Sequence, residues 1–351
     1  MTSGPVMLGD IPVGDGHPTV FMAEIGTFFN NDIELATAYL HKAVEAGAPV
    51  FKTEILHDAD VCLPSTGLMH TFNHAAGSTT EDYRALIERK IVPLAKYEQL
   101  FDTCRSLGVP FVASVYDLAG IDFLVEQRAA ALKVARTSID NIPLIRHAAR
   151  SGLPVIIDTG FCTMEEIGRA AGLVKSELAP LILNHHPGRN PCPPEHHHLR
   201  FMQTLKEAFQ VPVGLACHYR GDEILYVAVG MGCNLIEKGV DLDPDRIEQD
   251  LISAAPFAEL ATIVAKVKNC WRAIGSTPMP IPASRDISAR MCLVSACAIA
   301  KGTRLDLRTV RFSWPPLGIS VAHWDLVDGR VAAHDIPAGR PLMWSDVDFA
   351  G

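Results

Sequence analysis

A closed (β/α)8 barrel of the TIM type, followed by a small β-rich domain, is the fold class this sequence predicts. Eight short apolar runs, each ending in polar or ionisable residues, lie within the first 240 of 351 residues. Helix-like stretches separate them, and a proline-rich break precedes a tail dense in short β-like runs and turns. Apolar side chains fill such a barrel, and polar ones gather where its parallel strands end.

In order, the runs are VFMAEIG (20–26), VFKTE (50–54), FVASVYD (111–117), LKVAR (132–136), VIIDTG (155–160), LILNHH (181–186), VGLACH (213–218) and LIEKG (235–239). After the first run Asp32 is placed to cap a helix; Ile33, Ala36, Leu40, Ala43 and Val44 share its face, and Gly47 ends it. Similar apolar spacing over 81–106, 117–127, 141–151, 163–175, 197–209, 221–231 and 255–273 completes the alternation. The alternative, a doubly wound open sheet, lacks a glycine-rich phosphate turn after its first strand.

Residues 1–275 form the expected barrel domain. From Ser276 the segment STPMPIPASR has three prolines in ten residues and no periodicity, so a linker is expected over 276–284. In the remaining domain, 285–351, AIAKGTRL (298–305) and DIPAGRPL (335–342) share an Ile-x-x-Gly pattern suited to tight turns between short strands.

Hydrophobic residues make up 48% and charged residues 20%, enough for a substantial core. The formal charge of −9, with no long basic run, argues against nucleic acid or an anionic membrane as partner and for a small-molecule substrate. The nine cysteines form no CxxC pair, which suits reduced thiols in the cytoplasm. The opening MTSGPVMLGDIPVGDG has no export pattern, and no run reaches the roughly 18–20 apolar residues of a membrane span.

Particular motifs carry a resemblance: AEIG (23–26), Lys52 at a strand end, PLIRHAARSGLPVIIDTG (143–160), VPVGLACH ending at His218, LIEK (235–238), the two Ile-x-x-Gly turns and LGIS (317–320). On these the chain, from about Val20 to Val347, resembles the sialic acid synthase (N-acetylneuraminate synthase) family, and its tail resembles that family's antifreeze-like, or SAF, domain of β-clip type. The resemblance implies condensation of phosphoenolpyruvate with an N-acylated amino sugar aldehyde such as N-acetylmannosamine. The products would be a nine-carbon 2-keto acid and phosphate, in surface polysaccharide biosynthesis. It also implies a divalent metal, Mn²⁺ or Mg²⁺, and a homodimer with each SAF domain over the partner's barrel. Such chemistry needs cations or amides for phosphate and carboxylate, an acid on the aldehyde oxygen and a proton relay.

Carried onto this sequence, the resemblance makes Lys52 and Lys133 ligands of phosphoenolpyruvate, with Ser114 in place of a family threonine beside them. The bland alternative pairs each lysine with a carboxylate such as Glu24. Glu24 and Glu237 match family acids at the site, and Asp250 matches an aspartate that holds sugar hydroxyls. Of two metal-binding histidines, His218 matches one, after Ala216-Cys217 where the family has Ser-Asp; Gly239 stands in place of the other. A weakened or altered metal site is therefore expected, since one imidazole is a poor site for hard cations.

Other departures cluster at the rim. Phe28-Phe29 replaces Asn-His, Lys52-Thr53-Glu54 replaces Lys-x-Gln, and Arg136 and Asp158 replace serines that face phosphoenolpyruvate. Arg136 could bind phosphate bidentately with Asp158 balancing it; alternatively Asp158 repels the anion. In the tail Trp314-Pro315-Pro316 replaces Arg-Pro-Gly, so Trp314 could cover a sugar face. Among His185, His186, His196, His197 and His198, the first two are the better candidates to join His218 on a metal; a solvated loop is the bland reading.

Three readings follow: a synthase of this type; a barrel that has lost condensation and binds a sugar or anion without catalysis; and an aldolase using Lys133 as a Schiff base.

Overall fold

In the computed structural model, which describes residues 4–64, 66–278 and 289–350, the chain divides into two compact units, 1–275 and 276–351. Part of the expected linker, 279–284, lies outside the described residues.

The first unit opens with a hairpin of β1 (Val6–Leu8) and β2 (Ile11–Val13). The barrel strands follow: β3 (Val20–Glu24), β4 (Val50–Glu54), then, after an outlying hairpin of β5 (Met69–His74) and β6 (Gly77–Asp82), β7 (Phe111–Val115), β8 (Ala131–Val134), β9 (Val155–Asp158), β10 (Leu181–His185), β11 (Val213–Cys217) and β12 (Leu235–Asp241). Every neighbouring barrel pair is parallel, and β12 pairs with both β11 and β3, closing the ring. Eight βα repeats thus make a TIM barrel.

Period-two alternation sorts each strand into an inner and an outer set. Val20, Met22, Val50, Val112, Ile156, Ile182 and Leu235 form the lower interior, which the first hairpin's Val6, Leu8 and Val13 close. Two residues further along the same strands stand Glu24, Lys52, Ser114, Lys133, Asp158, Asn184 and Glu237. The outward set, including Phe21, Ala23, Phe51, Ala113, Leu132, Ile157 and Leu183, packs against the surrounding helices.

Those helices are α1 (Ile33–Glu45), α2 (Tyr83–Glu88), α3 (Leu94–Ser106), α4 (Leu118–Glu126), α5 (Ile142–Arg150), α6 (Met164–Ser176), α7 (Phe201–Phe209), α8 (Glu223–Gly230) and α9 (Phe257–Ile274). Asp32 caps α1, accepting the Leu35 amide at 3.0 Å, and Thr163 with Glu166 forms a capping box on α6. The helix expected over 81–106 is two: residues 81–82 end β6, and Pro93 precedes α3, its ring and missing N–H being incompatible with a continuous helix. The helix expected from 197 begins at Phe201, with His196 in a short 3-10 turn.

The second unit has its own core of Leu293, Ile299, Leu305, Val310, Ile319, Val327, Ile336 and Leu342. Its two echoes face one another: Ile299 and Ile336 exchange backbone hydrogen bonds at 2.8 and 2.7 Å, and Gly302 and Gly339 take the positive φ the tight turns require.

Candidate active site

A cavity of about 500 Å³ opens at the strands' C-terminal ends. Glu24, Lys133, Arg136, Asp158, His218, Glu237, Gly239 and Asp250 all line it. Lys52 and Ser114 are buried among the inner residues. Trp314 belongs to the second unit, exposed, its indole N–H donating to Ala289 O at 2.9 Å.

The inner residues make one charge network. Lys52 donates to Glu24 and lies 3.4 Å from Glu237. Lys133 donates to Glu237 and lies 2.8 Å from Asp158. Asp158 therefore pairs with Lys133, not with Arg136: its side chain points inward from β9, whereas Arg136 sits in a 3-10 turn beyond β8. Burial works against both ammonium groups, but the adjoining carboxylates hold their pKa values above the ordinary lysine value. An amine held as ammonium is a poor Schiff-base nucleophile, which speaks against the aldolase reading for Lys133.

The acids divide in the opposite sense. Burial pushes Glu24 up to about 8 despite Lys52, and Asp158 up to about 6 despite Lys133. Burial would raise Glu237 too, but Lys133 and Lys52 together hold it down to about 2. Glu24 thus keeps a proton at neutral pH while Glu237 does not, a division of labour suited to proton transfer.

Several buried polar atoms at this level have no partner among the described residues: Ser114 Oγ, Asp158 Oδ1, Asn184 Oδ1 and His218 Nδ1. Leaving such a group unpaired costs about 1–3 kcal/mol, so their convergence marks a place for a polar ligand. Asn184 escaped the sequence reading. It donates to Glu237 at 2.8 Å, and simple alternation from Ile182 would have put it inside. Also missed were Tyr116, which donates to Glu54 at 2.7 Å, and the hairpin residues His70 to Asn73, which wall the cavity.

Among the described residues no three His, Cys, Asp or Glu side chains converge as metal donors. His186 is the histidine beside His218, their rings 4.4 Å apart and perpendicular. Its Nδ1 accepts the Gly188 N–H at 2.8 Å, so the proton of the ring lies on Nε2 and neither nitrogen offers a lone pair. His185 turns away, its Nε2 bonded to His197 O at 2.6 Å. At Gly239 a Cβ would stand 3.4 Å from the ring of Phe28, which fills that side. The residues present do not fit a two-histidine divalent centre.

Three comparisons extend this picture. The NeuB family model matches residues 39–278, and the SAF domain model matches residues 290–348. The chain is 29% identical to an N,N'-diacetyllegionaminic acid synthase of Legionella pneumophila, over 99% of this chain and 100% of that protein. It is 26% identical to an N-acetylneuraminate-9-phosphate synthase of Mus musculus, over 86% of each. Among solved structures, an N-acetylneuraminic acid synthetase from Leptospira borgpetersenii in complex with citrate aligns with a TM-score of 0.72 and 26% identity, covering 81% of this chain and 94% of that one.

Proposed function

The chain belongs to the NeuB family, and on that premise we propose that it condenses phosphoenolpyruvate with an N-acylated amino sugar aldehyde. The products are a nine-carbon 2-keto sugar acid and inorganic phosphate. The observation that carries this reading is the meeting of Glu24, Lys52, Lys133 and Glu237 at the strand ends beneath one cavity.

The chemistry asks little else of the chain. The C2=C3 electrons of phosphoenolpyruvate form the new bond to the aldehyde carbon, whose oxygen takes a proton. Water adds to C2 and gives up one proton; the C2 hydroxyl so formed gives up its second to the departing phosphate, which leaves with the C2–O electrons as the 2-keto group forms. Glu24, protonated at neutral pH, is the proton donor best placed; Glu237, ionised, is the acceptor. Lys52 and Lys133 compensate the negative charge beneath the substrate. Asp250 would hold the sugar hydroxyls. His218 is the one matching histidine that would hold a divalent ion, and alone it would hold it weakly; such an ion would supply an acid for the aldehyde oxygen.

The finer expectations belong to the same proposal: surface polysaccharide as destination, the cytoplasm as compartment, and a homodimer in which Trp314 covers a sugar bound in the partner's barrel. No helix among the described residues is long and apolar enough to cross a membrane.

Phosphate release measured over a panel of N-acylated hexosamines, with and without Mn²⁺ or Mg²⁺, tests the reading. Sugar-dependent release supports it, and none across the panel would sink it. The Asp158–Lys133 ion pair favours the second reading, a barrel that binds without condensing. Sugar binding by calorimetry, indifferent to phosphoenolpyruvate and with no phosphate released, would select that one.

A further inference from the structure

The side of the cavity where a second metal ligand would stand is filled, and the group that fills it is fixed. Phe28 lines the cavity, and its ring lies between two glycines. A Cβ on Gly239 would touch ring atom Cε2 at 3.4 Å, and one on Gly26 would stand 3.3 Å from Cε1 on the other edge. The backbone of Phe28 is pinned as well. Its N–H donates to Ile25 O at 3.0 Å, and its carbonyl accepts Arg246 Nη2 at 2.9 Å. That nitrogen also lies 2.9 Å from Asp241, the buried carboxylate at the end of β12, which accepts the Tyr39 hydroxyl at 2.6 Å. The ring is therefore tied to the strand that carries Gly239 and cannot swing aside without breaking this network.

The other donors around the cavity are engaged. Glu24, Glu237 and Asp158 face the lysines, and Asp250 Oδ1 accepts Asn190 Nδ2 at 3.0 Å. His218 is left as a single imidazole, whereas Mn²⁺ or Mg²⁺ favours several oxygen ligands in a near-octahedral array. The reaction still requires an acid on the aldehyde oxygen. Where β12 pairs with β3, Glu24 lies directly across from Gly239, and both face inward. Its carboxyl group lines the cavity beside the position at which the second histidine is missing. Lys52 already donates to Glu24, so the charge left when Glu24 gives up a proton is balanced at once.

We infer that this chain activates the aldehyde without a divalent ion: the carboxyl group of Glu24 gives its proton to the aldehyde oxygen as the new C–C bond forms. The first proton released by the water that adds to C2 restores Glu24 through Glu237, which shares the Lys52 ammonium. The inference rests on the synthase reading and goes beyond it by assigning the acid to the chain itself.

The full chain, dialysed against EDTA, is titrated calorimetrically with MnCl2, and phosphate release over the sugar panel is followed in EDTA and in Mn²⁺. No saturable Mn²⁺ binding is expected below about 1 mM, and EDTA should leave release unchanged. Glu24→Gln, shown by thermal unfolding to be folded, should lower release about 100-fold or more in both conditions. The double variant Phe28→Asn, Gly239→His should bind Mn²⁺ where the unaltered chain does not. Release that EDTA abolishes and Mn²⁺ restores, micromolar Mn²⁺ binding by the unaltered chain, or full release by folded Glu24→Gln each overturns the inference and leaves the synthase reading standing. No release in either condition sinks the synthase reading and the metal-free step with it.

Discussion

The lysines inside the barrel and the arginine at its rim teach opposite lessons about positive charge. Lys52 and Lys133 are buried, saturated with carboxylates and held as ammonium. Arg136 is half-buried and has no such partner among the described residues. Paired charge in the interior holds the network together, since taking away one member strands the others. Unpaired charge at the rim stays available to a ligand. A count of cations in the pocket would have ranked the lysines first as anion ligands; their partners reverse the order.

The largest expected effect breaks the comparison from the inside. Lys133→Met leaves Asp158 and Glu237 without their shared cation and should cost about 3–5 kcal/mol in urea unfolding. Arg136→Gln, at the rim, should change stability by no more than about 0.5 kcal/mol. Equal costs would mean that the two regions do not differ as described. Next, Asp158→Asn, which removes one of the two carboxylates on Lys133 and leaves Glu237 on it, should tighten phosphate about 10-fold, equivalent to ~1.4 kcal/mol. Unchanged or weaker binding would show that the pair does not compete with the anion.

A pH series sharpens the account of the network. Glu24 has its pKa raised from 4.5 to about 8, so between those values the folded state keeps a proton that the unfolded state has lost. Its stabilising contribution is complete below pH 4.5 and disappears as pH rises through 8, with a slope of at most about 1.4 kcal/mol per pH unit. Asp158, raised from 3.8 to about 6, adds the same sign over the lower part of that window. Glu237, depressed to about 2, acts with the opposite sign but only below pH 4.5. Denaturant unfolding at several pH values between 5 and 8 should therefore show declining stability that Glu24→Gln flattens. A wild-type profile with no decline would contradict the protonated Glu24.

The smallest effect concerns the metal. Gly239→His alone should change Mn²⁺ affinity by less than about 3-fold, because the Phe28 ring, 3.4 Å from the new Cβ, fills the side an imidazole needs. Joined with Phe28→Asn it should gain affinity, read by calorimetry. If the single substitution gains as much as the double, Phe28 is not the obstacle.

Much of this was legible in the sequence because it follows from periodicity. The eight apolar runs gave the strands, and alternation along VFMAE and LIEK put Glu24 and Glu237 on the inner face. The β5–β6 hairpin was not legible: MHTFNH and GSTTED are largely polar on both faces, so neither shows the alternation of a half-buried strand. Nor could the sequence pair Asp158 with Lys133 or set the tautomer of His186, since each depends on which side chain a neighbouring strand or loop presents.

The most direct measurement of the central claim is the mass of the product formed from phosphoenolpyruvate and an N-acylated amino sugar. A single species that carries the sugar plus the three-carbon keto-acid unit, formed in step with phosphate, is the predicted result. Recovery of both reactants unchanged across the sugar panel, from protein shown to bind them, would contradict it.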